Sequence, residues 1–219
     1  MKKFRFILVL IFALSITNAQ RIGELAPEKP PMEFPPMAWG VDLMFSEGGF
    51  GLGTFLRKSF DYNLTGFVDF SISESKEERE IEYIDVFGRR IIRNKKNRAL
   101  LLPVNFGLQY RLFAKQLTDS FRPYVTGAVG PTMVLESPFL KDGQQIDFFE
   151  ALKYSRLKYT VGGYVGFGAD IGITPTHLLS LSLRYYIVHL LDKGIENLDG
   201  QYRKDLSSIY ISVSIGIRY

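Results

Sequence analysis

The stretch Ser208-Ile209-Tyr210-Ile211-Ser212-Val213-Ser214-Ile215-Gly216-Ile217-Arg218-Tyr219 decides the fold. Its odd positions carry Ile209, Ile211, Val213, Ile215, Ile217 and Tyr219, and its even positions Ser208, Tyr210, Ser212, Ser214, Gly216 and Arg218. Successive side chains of an extended chain point to opposite faces, so this alternation makes one strand with an unbroken apolar face and a polar one.

Working outward from this strand, residues 178–190 repeat the pattern with Leu179, Leu181, Leu183, Tyr185 and Ile187 against Ser180, Ser182, Arg184 and Tyr186. Residues 99–113 set Leu100, Leu102, Val104, Phe106, Leu108, Tyr110 and Leu112 against Asn105, Gly107, Gln109 and Arg111. Shorter or glycine-rich versions occupy 157–173, 121–135 and 64–73, and 39–45 and 50–60 complete a set of eight. The best of these runs are longer than a typical strand of a soluble sheet.

The connections run 46–49, 61–63, 74–98, 114–120, 136–156, 174–177 and 191–206, and after the first hairpin short and long alternate strictly. That asymmetry predicts a membrane barrel with short periplasmic turns and longer extracellular loops. A lipid-facing sheet cannot leave an edge of unpaired amides, so it closes on itself. The fold expected is therefore all-β, a closed antiparallel eight-stranded transmembrane β-barrel over 39–219, with an even strand number returning both termini to the periplasm. A soluble cup with its apolar face turned inward shares the same periodicity. Charges on the polar faces, and the aromatics Phe60, Tyr110, Phe121 and Tyr219 near the expected periplasmic interface, favour the membrane form.

The N-terminus agrees with export. Met1-Lys2-Lys3-Phe4-Arg5 precedes the apolar run from Phe6 to Ile16 and the stretch Thr17-Asn18-Ala19-Gln20, which reads as a signal peptide over 1–19 with Gln20 as the mature N-terminus. The run is too short to span a bilayer as a helix. The chain has no Cys, which excludes a lipobox, disulfides, thiol catalysis and thiolate metal sites. Residues 20–38 hold Pro27, Pro30, Pro31, Pro35 and Pro36 and read as a proline-rich periplasmic linker, with a docking motif as the sharper alternative. Removing Lys2, Lys3 and Arg5 with the signal peptide leaves 24 basic against 23 acidic residues, and nothing in this balance points to nucleic acid.

The last strand, Ile209 to Tyr219 with its aromatic terminus, resembles the C-terminal signal of outer-membrane barrels. Over 39–219 the chain resembles small barrels grouped with the OmpA membrane domain, OmpX and the PorT-like barrels of Bacteroidota, and the leader ending Asn18-Ala19-Gln20 resembles that phylum's. The resemblance implies a Gram-negative outer membrane, lipid as the surrounding partner, and barrel-assembly machinery reading Ile215, Ile217 and Tyr219 during insertion.

Apolar faces turned outward place Asp42, Arg57, Asp69, Arg111, Asp170 and Arg184 inside the barrel as one interior charge network. Buried charges need partners, so these six read as a salt-bridge plug, and a gated ion path is the sharper alternative. A symmetric turn at 61–63 sets Arg57 opposite Phe67 and diagonal to Asp69. The same arithmetic at 174–177 sets Asp170 near Ser182 and diagonal to Arg184, which predicts the pairs Arg57–Asp69 and Arg184–Asp170.

No catalytic, cofactor or metal residue is predicted. His189 is the one candidate base, and its odd number faces it to lipid. The run Gly162 to Gly168 lies within a strand and lacks the following helix of a phosphate loop, so its glycines are expected to make room for Tyr124, Tyr186 and Tyr210. Residues 147–154 are expected to make two helical turns capped by Asp147. In 74–98 an acidic arm precedes a basic one, which predicts a protruding hairpin turning at Val86-Phe87-Gly88-Arg89 and offering a surface to a protein or polysaccharide.

The function expected is a non-enzymatic barrel acting in envelope structure or surface interaction through its extracellular loops. One rival is a conduit of OmpW-like type, for which Met44, Leu101, Val134 and Val188 would line an apolar upper lumen. The other is an accessory subunit of a secretion or envelope-assembly complex, docking through the proline-rich segment.

Overall fold

The computed structural model describes residues 34–76, 82–84, 90–92, 95–114, 116–117, 120–141, 144–172 and 174–219. The expected signal peptide and cleavage site, most of the proline-rich segment and the turn expected at 86–89 lie outside them.

Eight strands form the barrel: β1 (Met37–Ser46), β2 (Gly49–Ser59), β3 (Leu64–Ser75), β6 (Asn97–Arg111), β7 (Phe121–Pro138), β10 (Arg156–Ile171), β11 (His177–Val188) and β14 (Ser208–Arg218). Between them lie three small two-stranded ribbons. These are β4 (Glu82–Ile84) with β5 (Arg90–Ile92), β8 (Leu140–Lys141) with β9 (Gln144–Gln145), and β12 (Ile195–Leu198) with β13 (Gln201–Arg203). Each barrel strand pairs with its antiparallel neighbour, and β1 closes the ring on β14 with Ala38 opposite Arg218 and Ser46 opposite Tyr210. Closure leaves no edge, the condition a sheet must meet to stand in lipid.

Period-two alternation sorts the two surfaces as expected. On β14, Tyr210, Ser212 and Ser214 are buried inside while Ile209, Ile211, Ile215 and Ile217 are exposed outside. Val129, Val161, Val165 and Phe167 stand outward on β7 and β10, with Val161 67% exposed, so the outer wall is an apolar band suited to hydrocarbon. Phe60, Tyr110, Phe121 and Tyr219 are exposed at the end with the short turns. Both described ends of the barrel meet there, where Met37 and Tyr219 exchange backbone hydrogen bonds at 3.1 and 2.9 Å.

Two prolines interrupt the wall. Pairing skips from Phe70–Val104 to Ser73–Leu101 around Pro103, and from Pro103–Thr132 to Phe106–Val129 around Pro131. A proline has no N–H to donate, so the ladder is broken at these places in β6 and β7.

The loop end carries the longer connections. Asp147 accepts from the Phe149 amide at 3.1 Å and caps a short helix, α1 (Phe148–Leu152), as the sequence suggested. In 74–98 the described residues pair as a ribbon, Glu82 opposite Ile92, Tyr83 opposite Ile91 and Ile84 opposite Arg90. In register these three pairs match no acid with a base, and most of the other charged residues of the two arms lie outside the described residues.

Candidate functional site

The barrel interior is arranged in layers. At the short-turn end Arg57 Nη1 lies 3.4 Å from Asp170 Oδ1, and Arg218 Nη2 lies 3.7 Å from Asp170 Oδ2. Phe34, just ahead of β1, sits under this layer with the guanidinium of Arg122 3.9 Å and that of Arg218 4.9 Å from its ring centre. Two cations on one aromatic ring close the short-turn mouth, each drawn by the ring's negative face.

The next layer joins Asp42, Asp69 and Arg184. Arg184 donates from Nη1 to Asp42 Oδ2 at 2.9 Å and from Nε to Ser182 Oγ at 3.2 Å. Asp69 accepts from the Tyr164 hydroxyl at 2.6 Å and from Asn105 Nδ2 at 2.8 Å. Around these groups remains a cavity of about 10 Å³, room for one water at most.

Both expected salt bridges are therefore corrected. Arg57 does stand opposite Phe67, yet it reaches across the lumen to Asp170, while Asp69 is engaged by Asn105, its direct cross-strand neighbour, and by Tyr164. In so narrow a barrel a long side chain meets the far wall as readily as its own neighbour. At the other hairpin Asp170 stands opposite Ser180 rather than Ser182, a shift of two residues that keeps every side chain on its face. Arg184 turns to Asp42 instead. Arg111 is buried near the short-turn end with its guanidinium 4.6 Å from the Tyr62 ring centre. The structure thus brings together Arg57 with Asp170 and Arg184 with Asp42, and adds Arg122, Arg218, Asn105 and Tyr164. The inward parity of Arg122 and Arg218 was visible in the sequence, but their common ring, Phe34, precedes the first predicted strand.

Above the charges the aromatics interlock. The Tyr164 and Tyr186 ring centres lie 4.7 Å apart, those of Tyr186 and Tyr210 5.2 Å, and the Tyr210 hydroxyl donates to Ser73 at 3.1 Å. Of the expected glycine accommodations, Gly168 makes room for Tyr124, whose hydroxyl a Cβ would approach to 2.7 Å. Gly162 instead faces Val188 and Thr132, and Gly166 faces Arg184.

At the loop end the lumen is closed by a strap, residues 189–207, that the sequence does not foreshadow. Its Leu190, Ile195 and Leu206 pack against Ala99, Leu101, Val134 and Val188 of the barrel wall as a buried apolar cluster. The expected apolar upper lumen is present but filled, and Met44 belongs to the aromatic layer below. His189, outward and exposed, bridges to Asp205 along the strap.

Ionic clasps hold the strap. Lys158 of β10 reaches Asp192 at 2.9 Å, Glu136 at 3.6 Å and the Gly194 carbonyl, and Lys96 reaches Glu196 at 3.0 Å and Asp199 at 3.1 Å. Gly194 adopts φ of 87°, a left-handed conformation in which a Cβ would also meet the Arg203 carbonyl at 2.5 Å. The Gly194 amide and Lys158 hold the Asp192 carboxyl below the usual carboxylate range. The Gly200 amide and Lys96 do the same for Glu196, and Glu196 with Asp199 raises the Lys96 ammonium. Beside these clasps opens a cleft of about 540 Å³ whose lining includes Lys96, Glu136, Tyr154, Arg156, Lys158 and Lys193.

No protein-family model matches the chain, and no curated protein matches it. Among solved structures the barrel is similar to Neisserial surface protein A, with a TM-score of 0.52 and 13% identity over 86% of this chain and 100% of that one. The fold is that of the small outer-membrane β-barrels. Two further similar structures are OprG of Pseudomonas aeruginosa, with a TM-score of 0.48 and 13% identity over 86% of this chain and 98% of that one, and Ail of Yersinia pestis, with 0.44 and 14% over 86% and 100%.

Among the described residues no group of three or more His, Asp or Glu side chains is placed to hold a metal ion. What the site can do chemically is hold charge: a buried polar interior locked by ion pairs, and an open charged cleft between the strap and the wall beside it.

Proposed function

We propose that the chain is a non-enzymatic outer-membrane barrel that acts by surface interaction through its long loops. The loop end faces the exterior and both termini face the periplasm. The observation that carries this reading is the strap: it fills the upper lumen with Leu190, Ile195 and Leu206, while the cleft beside it opens at the same end. A conduit needs an unobstructed path, and here the charged layer leaves about 10 Å³. A contact surface needs exposed, structured loops, and the clasps supply them.

Insertion proceeds through barrel-assembly machinery that reads Ile215, Ile217 and Tyr219, whose apolar face is exposed to lipid in the finished barrel. The ribbon of β4 and β5, with Tyr83 half exposed, is a second contact surface for a protein or polysaccharide. Within the small barrels, the PorT-like proteins of Bacteroidota are the kinship this reading favours, on the leader ending and the last strand.

The test is single-channel recording on the refolded barrel in planar bilayers, paired with protease accessibility of 189–207 on intact cells. The reading expects no steady conductance and cleavage from outside. Sustained conductance, or uptake of an apolar solute that depends on the barrel, would instead establish the conduit.

A further inference from the structure

The cleft at the loop end has an uneven charge balance. Its three carboxylates are all engaged. Glu136 accepts from Asn97 at 3.0 Å and pairs with Lys158, Asp192 accepts from the Gly194 amide at 2.8 Å and pairs with Lys158, and Glu196 accepts from the Gly200 amide at 2.9 Å and pairs with Lys96. Lys96 and Lys158 are thereby engaged as well. Arg156 and Lys193 line the same cleft, and among the described residues neither side chain has an ion-pair or hydrogen-bond partner, Arg156 being paired through its backbone position with Glu136. The two arrive from different parts of the fold, Arg156 from the first position of β10 and Lys193 from the strap. Tyr154 and Tyr202, each at least half exposed, line the cleft beside them.

We propose that this cleft binds an anionic saccharide, with Arg156 and Lys193 holding its carboxylate or phosphate and the tyrosines offering faces for its rings. The proposal rests on the surface-interaction reading and names that site's ligand. A volume of about 540 Å³ lies within the range of small-ligand sites. Four cations and three carboxylates line the cleft, the carboxylates are already held by Lys96, Lys158 and amide donors, and the side chains of Arg156 and Lys193 remain to take an anion. Guanidinium binds carboxylate or phosphate with paired N–H donors, and ammonium adds a mobile charge. A lining rich in charge and hydroxyl disfavours an apolar ligand, and exposed aromatic faces beside polar donors suit a sugar better than a bare ion. A bound anion bridges wall and strap, so occupancy fastens the strap to β10.

The anionic sugar has two sources at an outer surface, a soluble acidic polysaccharide or the headgroup of a neighbouring glycolipid. The experiment uses the full mature barrel in nanodiscs with three probes: oligogalacturonate, a rough lipopolysaccharide incorporated in the disc, and maltotriose as the neutral control. Binding is read by calorimetry, or for the lipid by native mass spectrometry, together with amide exchange over 190–206. The expected result is binding of an anionic probe but not maltotriose, slower exchange in the strap, and weakening by added salt. The R156Q/K193Q variant, whose substitutions are exposed and whose folding is checked by heat-modifiable migration, should lose about tenfold or more in affinity. Binding of oligogalacturonate assigns the soluble source, and binding of the lipopolysaccharide alone assigns the membrane source. Failure of both anionic probes in a non-conducting, surface-exposed barrel overturns the ligand assignment and leaves the surface reading standing, as does undiminished affinity in the double variant. A conducting barrel overturns the reading beneath it.

Discussion

Arg184 and Asp42 join strands that are not neighbours: β11 and β1 are separated by β14, and the guanidinium bridges them inside the lumen at 2.9 Å. Both side chains are almost completely buried, at 5% and 3% exposure. The pair therefore braces the barrel across its seam, where the first and last strands meet.

Removing one partner strands the other. Asp42→Ala leaves the Arg184 charge buried with Ser182 as its remaining hydrogen-bond acceptor, and a broken buried pair costs about 3–5 kcal/mol. Urea titration followed by heat-modifiable migration is expected to show that loss. The double variant D42L/R184M, which removes both charges, is expected to recover most of it. Equal destabilisation of single and double variants would mean that the volume of these side chains matters and their charge does not.

Gly168 and Gly127 differ in the room they leave for a side chain. A Cβ at Gly168 would stand 2.5 Å from the Leu181 carbonyl and 2.7 Å from the Tyr124 hydroxyl, whereas at Gly127 the nearest atom is 3.9 Å away. Gly168→Ala is expected to cost about 1–3 kcal/mol by overpacking, with Gly127→Ala near neutral, in the same unfolding assay.

The strap responds to pH from both sides. Asp192 and Glu196 titrate lower in the folded protein than in the unfolded chain, so their contribution is present above the ordinary carboxylate range and is lost as pH falls through the lowered values. Lys96 titrates higher when folded, so its contribution is present below the ordinary lysine range and is lost as pH rises through the raised value. Amide exchange over 190–206, corrected for its intrinsic pH dependence, is expected to be slowest near neutrality and to accelerate below about pH 4. K158Q should weaken the acid response, since Lys158 is one of the groups that lower Asp192.

Tyr219 has little to lose in the folded barrel, where its side chain is exposed at the short-turn interface. Tyr219→Asp is therefore expected to cut outer-membrane levels severalfold in cells while changing the unfolding midpoint of the refolded barrel little. Normal membrane levels would show that the terminus plays no part in insertion.

The all-β class, the eight barrel strands and the face of nearly every residue were determined by the sequence itself. Period-two alternation is a local property of the chain, and in Ile209 to Tyr219 or Leu179 to Ile187 it holds whatever the rest of the molecule does. Only the tertiary structure decided which inward side chains meet. Arg57 and Asp170 are 113 residues apart and Arg184 and Asp42 are 142, and closure of the ring, together with a two-residue shift at one turn, chose these partners over the neighbours along each hairpin. The strap was illegible for a related reason. Leu190, Ile195 and Leu206 show no period, and their burial depends on an apolar mouth formed by Leu101, Val134 and Val188, which three separate strands, β6, β7 and β11, bring to one end of the closed ring. Arg156 and Lys193 likewise become one site only when the strap is laid beside β10, because a cleft belongs to the surfaces that enclose it and to no single stretch of chain.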